Sequence, residues 1–366
     1  MSLTAGIVGL PNVGKSTLFN AITKAGVEAA NYPFATIDPN VGVVEVPDAR
    51  LKEITKVVQP QKEVPTTFEF TDIAGIVKGA SRGEGLGNKF LSNIRQVDAI
   101  VHVVRCFDDG NITHVSGEVN PLSDIETINL ELILADLETI DRRFERVKKQ
   151  ARTGEKEAVA ELAVLEKLKS ALENDQLANS IEFTPEQERI VNSLFLLTRK
   201  KMLYVANISE DEVSNPQRNP YLQEVQELAQ SQGADVVPVC ASLEEEIAAL
   251  DDEEKELFLE DFGLETSGLD HLIQKSYHLL GLGTYFTAGE KEVRAWTFKK
   301  GMTAPQAAGI IHTDFERGFI RAETVSYEDL MKYGGMTKAR EAGRVRSEGK
   351  DYIVQDGDII LFRFNV

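Results

Sequence analysis

Gly9-Leu10-Pro11-Asn12-Val13-Gly14-Lys15-Ser16 is the stretch on which the fold turns. It fits G-x-x-x-x-G-K-S/T letter for letter, and its flanks fit as well. A short apolar run, Ala5–Leu10, enters it, and a helix-forming stretch, Lys15–Ala25, leaves it with Gly26 placed to cap. The spacing has a chemical reason. Gly9 and Gly14 let the backbone wrap around a β-phosphate, so that Asn12, Val13, Gly14, Lys15, Ser16 and Thr17 form a cradle of inward N–H groups. The helix that starts at Lys15 adds the partial positive charge of its N-terminus. Lys15 reaches the β- and γ-phosphates as the catalytic lysine, and the Ser16 hydroxyl coordinates Mg²⁺.

Working outward, Asp72-Ile73-Ala74-Gly75 lies 56 residues beyond Ser16 and follows the strand-like run Thr66–Phe70. An Asp at the end of a neighbouring strand holds Mg²⁺ through water, and the Gly75 N–H meets the γ-phosphate. The next loop, Gly79–Gly87, carries four glycines and is suited to reorder when the γ-phosphate leaves. Between the two phosphate motifs, Thr36 sits in Asn31–Asp38. There it is either a further Mg²⁺ ligand or an ordinary loop residue, and its position favours the ligand.

Apolar runs at Val41–Val46, Ala99–Val104, Met202–Ala206 and Val236–Val239 alternate with helical patterns, which predicts a three-layer α/β sheet. One interval breaks the rhythm. The 97 residues from Arg105 to Met202 exceed what a single crossover helix needs. Inside it, Ile133, Leu137, Ile140, Phe144 and Val147 step by 4, 3, 4, 3, and Ala158, Leu162, Leu165, Lys169 and Leu172 repeat the steps. Thr184-Pro185-Glu186-Gln187 reads as the capped start of a third helix. We expect an inserted antiparallel coiled-coil arm over 130–200. A nucleotide domain then comprises 1–129 and 201–282, and a small mixed β domain 283–366.

The whole chain has 366 residues, 42% of them hydrophobic, and only two cysteines, Cys106 and Cys240. No run approaches the ~20 apolar residues of a membrane span, and no secretory leader is evident, so a reduced cytoplasm is expected and a membrane partner is not. The net charge of −19 argues against coating nucleic acid by bulk electrostatics. The charge is uneven, however. Residues 281–366 carry 13 Lys and Arg against 12 Asp and Glu, while the first 280 carry 27 against 47. Any RNA contact is therefore expected in patches, around Arg142–Arg152 on the arm and at Arg340, Arg344, Arg346 and Lys350. The arm's basic run also reads as a solvated helix face with pairs such as Glu138–Arg142.

A guanine reader of this class carries N-K-x-D after its fifth strand. Here the corresponding stretch is Asn207-Ile208-Ser209-Glu210, with no lysine to pack along the purine and a carboxylate one methylene longer. The Asn207 amide suits adenine N6 and N7. Cys240-Ala241-Ser242, after the sixth strand, places Ala241 and Ser242 behind the base.

With these residues in hand, the chain resembles the Obg-like ATPase (YchF) family of P-loop NTPases along essentially its whole length. The resemblance is carried by Gly9–Ser16, Asn31–Gly42, Asp72–Gly87, Asn207–Glu210, and by Ala339–Gly343 with Gly349–Asp358, which resemble a TGS domain. It implies a Ras-like G domain of α/β class with the helical arm and a C-terminal β-grasp module. It also implies hydrolysis of ATP in preference to GTP, slow turnover, and association with ribosomal RNA or protein; Mg²⁺ is expected from Ser16 and Asp72, and a monomer is expected.

In Ras-like enzymes a Gln after D-x-x-G orients the attacking water. This chain has Ile76 there, which cannot hydrogen-bond. His114, in the loop after the strand Ala99–Val104, is a candidate to orient the water, though its spacing slightly favours a surface loop histidine with no catalytic part. Asn12 either helps to bind a monovalent cation or stabilises its turn. A GTPase of the same fold, or a nucleotide-dependent scaffold with incidental hydrolysis, stands as an alternative.

Overall fold

The computed structural model describes residues 3–26, 40–75, 86–114 and 117–365. Its strands are β1 (Thr4–Val8), β2 (Val41–Glu45), β3 (Lys62–Val64), β4 (Thr67–Asp72), β5 (Ala99–Arg105), β6 (Lys201–Asn207), β7 (Asp235–Val239), β8 (Leu282–Ala288), β9 (Glu292–Lys299), β10 (Phe319–Ser326), β11 (Arg346–Glu348) and β12 (Asp358–Phe364). They form two six-stranded sheets, in the orders β2-β4-β1-β5-β6-β7 and β11-β10-β12-β8-β9-β3. The helices used below are α1 (Lys15–Lys24), α2 (Ala49–Val58), α3 (Leu86–Gln96), α4 (Pro121–Ala151), α5 (Lys156–Glu173), α6 (Pro185–Ser193), α7 (Pro220–Ser231) and α8 (Ala241–Ile247).

The chain divides into two compact units, residues 1–43 with 69–272 and residues 44–68 with 273–366. In the first, β1 pairs in parallel with β4 and β5, β5 with β6, and β6 with β7. Every residue of β5 is buried, as a strand covered on both faces must be. All these strands run the same way, so their C-terminal ends share one edge of the sheet, the edge at which α/β sheets bind ligands. Helix α1 follows β1 directly and buries Leu18, Phe19, Ala21 and Ile22. Its last capping position is Ala25. Gly26 serves a different need from the expected cap, since a Cβ there would meet the Val43 carbonyl oxygen at 2.9 Å.

The inserted arm starts earlier than the heptad pattern implied. Asn120 caps α4 by accepting from the Ser123 N–H at 3.0 Å, and Pro121 takes the first helical position, where its missing donor costs nothing. The helix then runs 31 residues without interruption. Beyond residue 130 it buries Ile133, Ile140 and Val147, with Leu137 and Phe144 packed beside them. In α5 the buried set is Ala158, Val164, Leu165, Leu168 and Leu172. Lys169, expected on the seam, instead pairs with Asp141 at 2.6 Å. The apolar face is wider than a two-stranded seam because residues of α6 and its flanks, among them Ile181, Val191 and Leu194, join the same core. The capping box predicted for α6 is formed, Thr184 N donating to Gln187 Oε1 at 3.0 Å.

The second unit takes in residues 44–68, which the sequence places with the nucleotide domain. Packing explains the reassignment. Helix α2 buries Leu51 and Ile54 in one cluster with Phe286, Val293, Val325 and Ile359, and β3 adds to the sheet edge beside β9. The sheet is mixed: β8/β9 and β10/β12 are antiparallel, while β12/β8 and β3/β9 are parallel. The helix Ala304–Ile311 buries Ala304, Ala307 and Ala308 against Tyr285, Phe298 and Phe362.

Candidate active site

The phosphate loop leaves the end of β1 and is held from three sides. Gly14 adopts φ +91°, and Asn12, a residue that tolerates the left-handed region, adopts φ 64°. Gly14 has a second constraint, because a Cβ there would sit 2.1 Å from Asn207 Nδ2. Asn207, at the end of β6 and only 5% exposed, explains that closeness. Its Nδ2 donates to the Val13 carbonyl at 2.9 Å, and its Oδ1 accepts from the Ala241 N–H at 3.0 Å. The amide thus clamps the phosphate loop to the first residue of α8. These two bonds use one of its two Nδ2 hydrogens and one of its two Oδ1 lone pairs.

On the second side, Asp72 ends β4, paired with Ile7 of β1, and its carboxylate forms an ion pair with Lys15 Nζ. The loop beyond Asp72 passes close to the phosphate loop, since a Cβ at Gly75 would stand 3.6 Å from the Gly9 carbonyl oxygen. Ser16 is exposed at the start of α1 and Thr17 is half-buried. Thr36, Ile76 and Gly79–Gly85 lie outside the described residues.

On the third side, Asn12 Nδ2 donates to the Thr113 carbonyl at 3.1 Å. The loop carrying Thr113 is organised by Arg105, which the sequence analysis did not single out. Arg105 is 1% exposed and stands where an otherwise apolar strand ends. Its guanidinium donates to the carbonyls of Phe107 at 3.1 Å, Ile112 at 3.0 Å and Asp109 at 3.3 Å, and it lies over the Phe107 ring. The detectable signal was an arginine closing a run of six apolar or aromatic residues. His114, expected on a mobile or exposed loop, is buried instead, and its Nε2 lies 2.9 Å from Asp124 Oδ2 in the first turn of α4. Burial raises the Asp124 carboxyl above its ordinary range against the opposing pull of His114. A histidine that anchors a helix start to a loop satisfies two buried polar groups at once.

At the base end, Glu210 is exposed and opens a short 3₁₀ turn, Glu210–Glu212, and Ser242 is exposed while Ala241 is buried. Ser209 and Asn219 both bond to Glu212, at 2.7 and 2.8 Å, so Glu212 is the carboxylate that ties this loop down and Glu210 is left at its mouth. Cys106 and Cys240 are buried free thiols whose pKa values burial raises, and neither is placed for chemistry.

Among the described residues no three His, Cys, Asp or Glu side chains form a metal cage. Mg²⁺ does not require one. It keeps waters and is bound by one or two protein oxygens with substrate phosphates, a need that the Asp72 carboxylate at the mouth of the loop and the exposed Ser16 hydroxyl fit. No described helix is long and apolar enough to cross a membrane.

Comparison with known proteins places the chain in a family. A family model described as a 50S ribosome-binding GTPase matches residues 4–150, and the YchF-GTPase C-terminal model, described as a protein of unknown function (DUF933), matches residues 282–365. The chain is 68% identical over 366 residues to a Bacillus subtilis protein named ribosome-binding ATPase YchF, and 59% identical to the Escherichia coli O157:H7 protein of the same name, each alignment spanning both chains completely. The solved structure of the Schizosaccharomyces pombe YchF GTPase is 41% identical, with a TM-score of 0.89 over 99% of this chain and 98% of that one. A GTP-binding protein from Pyrococcus horikoshii shares the fold at 22% identity and a TM-score of 0.60, covering both chains in full. From the phosphate loop and its clamp to the C-terminal sheet, the chain belongs to the YchF family.

Proposed function

We propose that the protein is a slow, Mg²⁺-dependent ATPase that prefers ATP to GTP and works in association with the ribosome as a cytoplasmic monomer. The observation that carries the nucleotide reading is the convergence of Lys15, Asp72 and the Asn207 clamp on one loop at one sheet edge. Ribosome association is supported by the names of the full-length relatives.

In this reading the N–H groups from Asn12 to Thr17 and the first turn of α1 receive the phosphates. Lys15 exchanges its contact with Asp72 for the β- and γ-phosphates, and Gly75 supplies a γ-phosphate N–H. Ser16, Asp72 and Thr36 would hold Mg²⁺, which would supply neutralisation of the phosphate charge. The free edge of the Asn207 amide faces the purine, with Ala241 and Ser242 behind it and Glu210 at the rim. Ile76 offers no group to orient water, which accounts for slow turnover. His114 is proposed for that role, one residue beyond the carbonyl that Asn12 holds, and acting there requires it to part from Asp124. Asn12 Oδ1 is proposed as a ligand for a monovalent cation, and comparing turnover in K⁺ and Na⁺ checks it.

The test is equilibrium binding of ATP and GTP with Mg²⁺, followed by phosphate release from the same samples. ATP is expected to bind more tightly, and Lys15→Ala to lose release. Tighter binding of GTP would overturn the base assignment. A Lys15→Ala chain that still docks on ribosomes as the parent does would favour a scaffold and count against a nucleotide switch.

A further inference from the structure

In the second unit, three arginines gather around the Glu323 carboxylate, and a fourth, Arg346, lines the same pocket while pairing with Glu348 and Asp358. Arg321 and Arg363 stand directly opposite each other on the antiparallel pair β10/β12, a like-charge juxtaposition that by itself destabilises a sheet. Arg340 comes from the helix Met336–Glu341, and Arg346 from β11. Glu323 holds three of them. Its Oε1 accepts from Arg363 Nε at 3.0 Å and from Arg321 at 3.3 Å, and its Oε2 accepts from Arg340 at 2.9 Å. These contacts keep the Glu323 carboxyl below its ordinary range, hence ionised. Arg346 donates to Glu348 at 2.8 Å and to the Tyr352 hydroxyl at 2.9 Å.

The four guanidiniums, the Glu323 carboxylate, Val345 and Ser347 line an open pocket of about 390 Å³. The arginine side chains are 42–55% exposed, whereas Glu323 among them is 13% exposed. One carboxylate against three guanidiniums leaves two positive charges unmatched, on a chain whose net charge is −19. An ion-pair network built only for stability has no need of that excess, or of two arginines facing each other across a ladder. The arginine forks, already oriented by Glu323, present the planar donor geometry that matches phosphate oxygens.

We propose that this cavity is a second anion site, separate from the phosphate loop, that takes a phosphoryl group. The group is either a phosphodiester of RNA or the phosphate of a small phosphorylated molecule. Glu323 both positions the guanidiniums and competes with the ligand for their N–H groups.

The experiment follows the arginine Nε–Hε resonances of the full chain by NMR during addition of inorganic pyrophosphate and, separately, of a short single-stranded RNA. Resonances of Arg321, Arg340 and Arg363 report this cavity alone, because no phosphate-loop residue contributes to them. They are expected to move. Arg363→Gln is expected to weaken binding about fivefold to tenfold, Arg363→Lys to weaken it less, and Glu323→Gln to strengthen it about threefold. Movement with RNA alone identifies a phosphodiester, and movement with pyrophosphate also identifies a free phosphate as sufficient. Unmoved resonances with both probes, or Glu323→Gln and Arg363→Gln binding as the parent does while keeping its unfolding midpoint, overturn the proposal. Either failure leaves the nucleotide reading of the first unit untouched.

Discussion

Replacing Asn207 by Ala separates a clamp from a base reader. The side chain satisfies two buried backbone groups, the Val13 carbonyl and the Ala241 N–H, in residues that are 1% and 3% exposed. Truncation strands both, at about 1–3 kcal/mol each, so a loss of about 2–6 kcal/mol is expected, a large share of the ~5–15 kcal/mol that holds a typical domain folded. The phosphate loop loses its tie to α8, so binding of pyrophosphate, which has no base, should weaken along with ATP. Asn207→Asp keeps the acceptor for Ala241 but sets a carboxylate against the Val13 carbonyl, so it should also destabilise the chain. The assay pairs urea unfolding of the free protein with calorimetric titration of ATP and of pyrophosphate. An Asn207→Ala chain with an unchanged unfolding midpoint and unchanged pyrophosphate affinity would refute the clamp and leave Asn207 as a base contact alone.

Gly14→Ala forces a Cβ to within 2.1 Å of Asn207 Nδ2 in a left-handed backbone. The backbone strain alone is about 1–2 kcal/mol, so ATP binding should vanish, and titration checks it. His102 in β5 is fully buried with neither ring nitrogen partnered among the described residues, and burial lowers its pKa to about 3. The unfolded chain therefore binds the proton first, and stability falls as pH drops below about 6.5. Between pH 7 and 5.5 this residue should cost about 1.2 kcal/mol, a loss that His102→Leu should remove without harm at pH 7; urea midpoints at the two pH values test it, and parallel losses in both chains count against it. Phe195 holds φ 50° at the end of α6 with 80% of its surface exposed. Phe195→Gly relieves about 1–2 kcal/mol of strain against about 0.5–1 kcal/mol of added chain entropy. A rise in unfolding midpoint is the expected result, and a fall contradicts it.

The phosphate loop was legible because its chemistry is local. Gly9, Gly14, Lys15 and Ser16 act through backbone freedom and reach within eight consecutive residues, and the strand and helix around them announce themselves by period. The buried parallel strands and the capping box at Thr184 were legible for the same reason. What the linear order hid were the partners brought in from far along the chain. Asn207 carries an amide that reads as a base contact, yet 194 residues separate it from the Val13 carbonyl that it holds. His114 reads as a loop histidine until α4 places Asp124 against it, and Arg105 reads as a strand end until its loop folds back over the guanidinium. Residues 44–68 follow the first motif in sequence, but the burial of Leu51 and Ile54 with Phe286 and Ile359 assigns them to the other unit. Likewise, Arg321 and Arg363 become one site only when β10 and β12 pair. Sequence alone thus determined the glycine-bearing turn and the strand and helix that flank it, because these reside in residue type and near spacing. Tertiary structure decided which groups are spent on holding one another, because burial and long-range pairing set that choice.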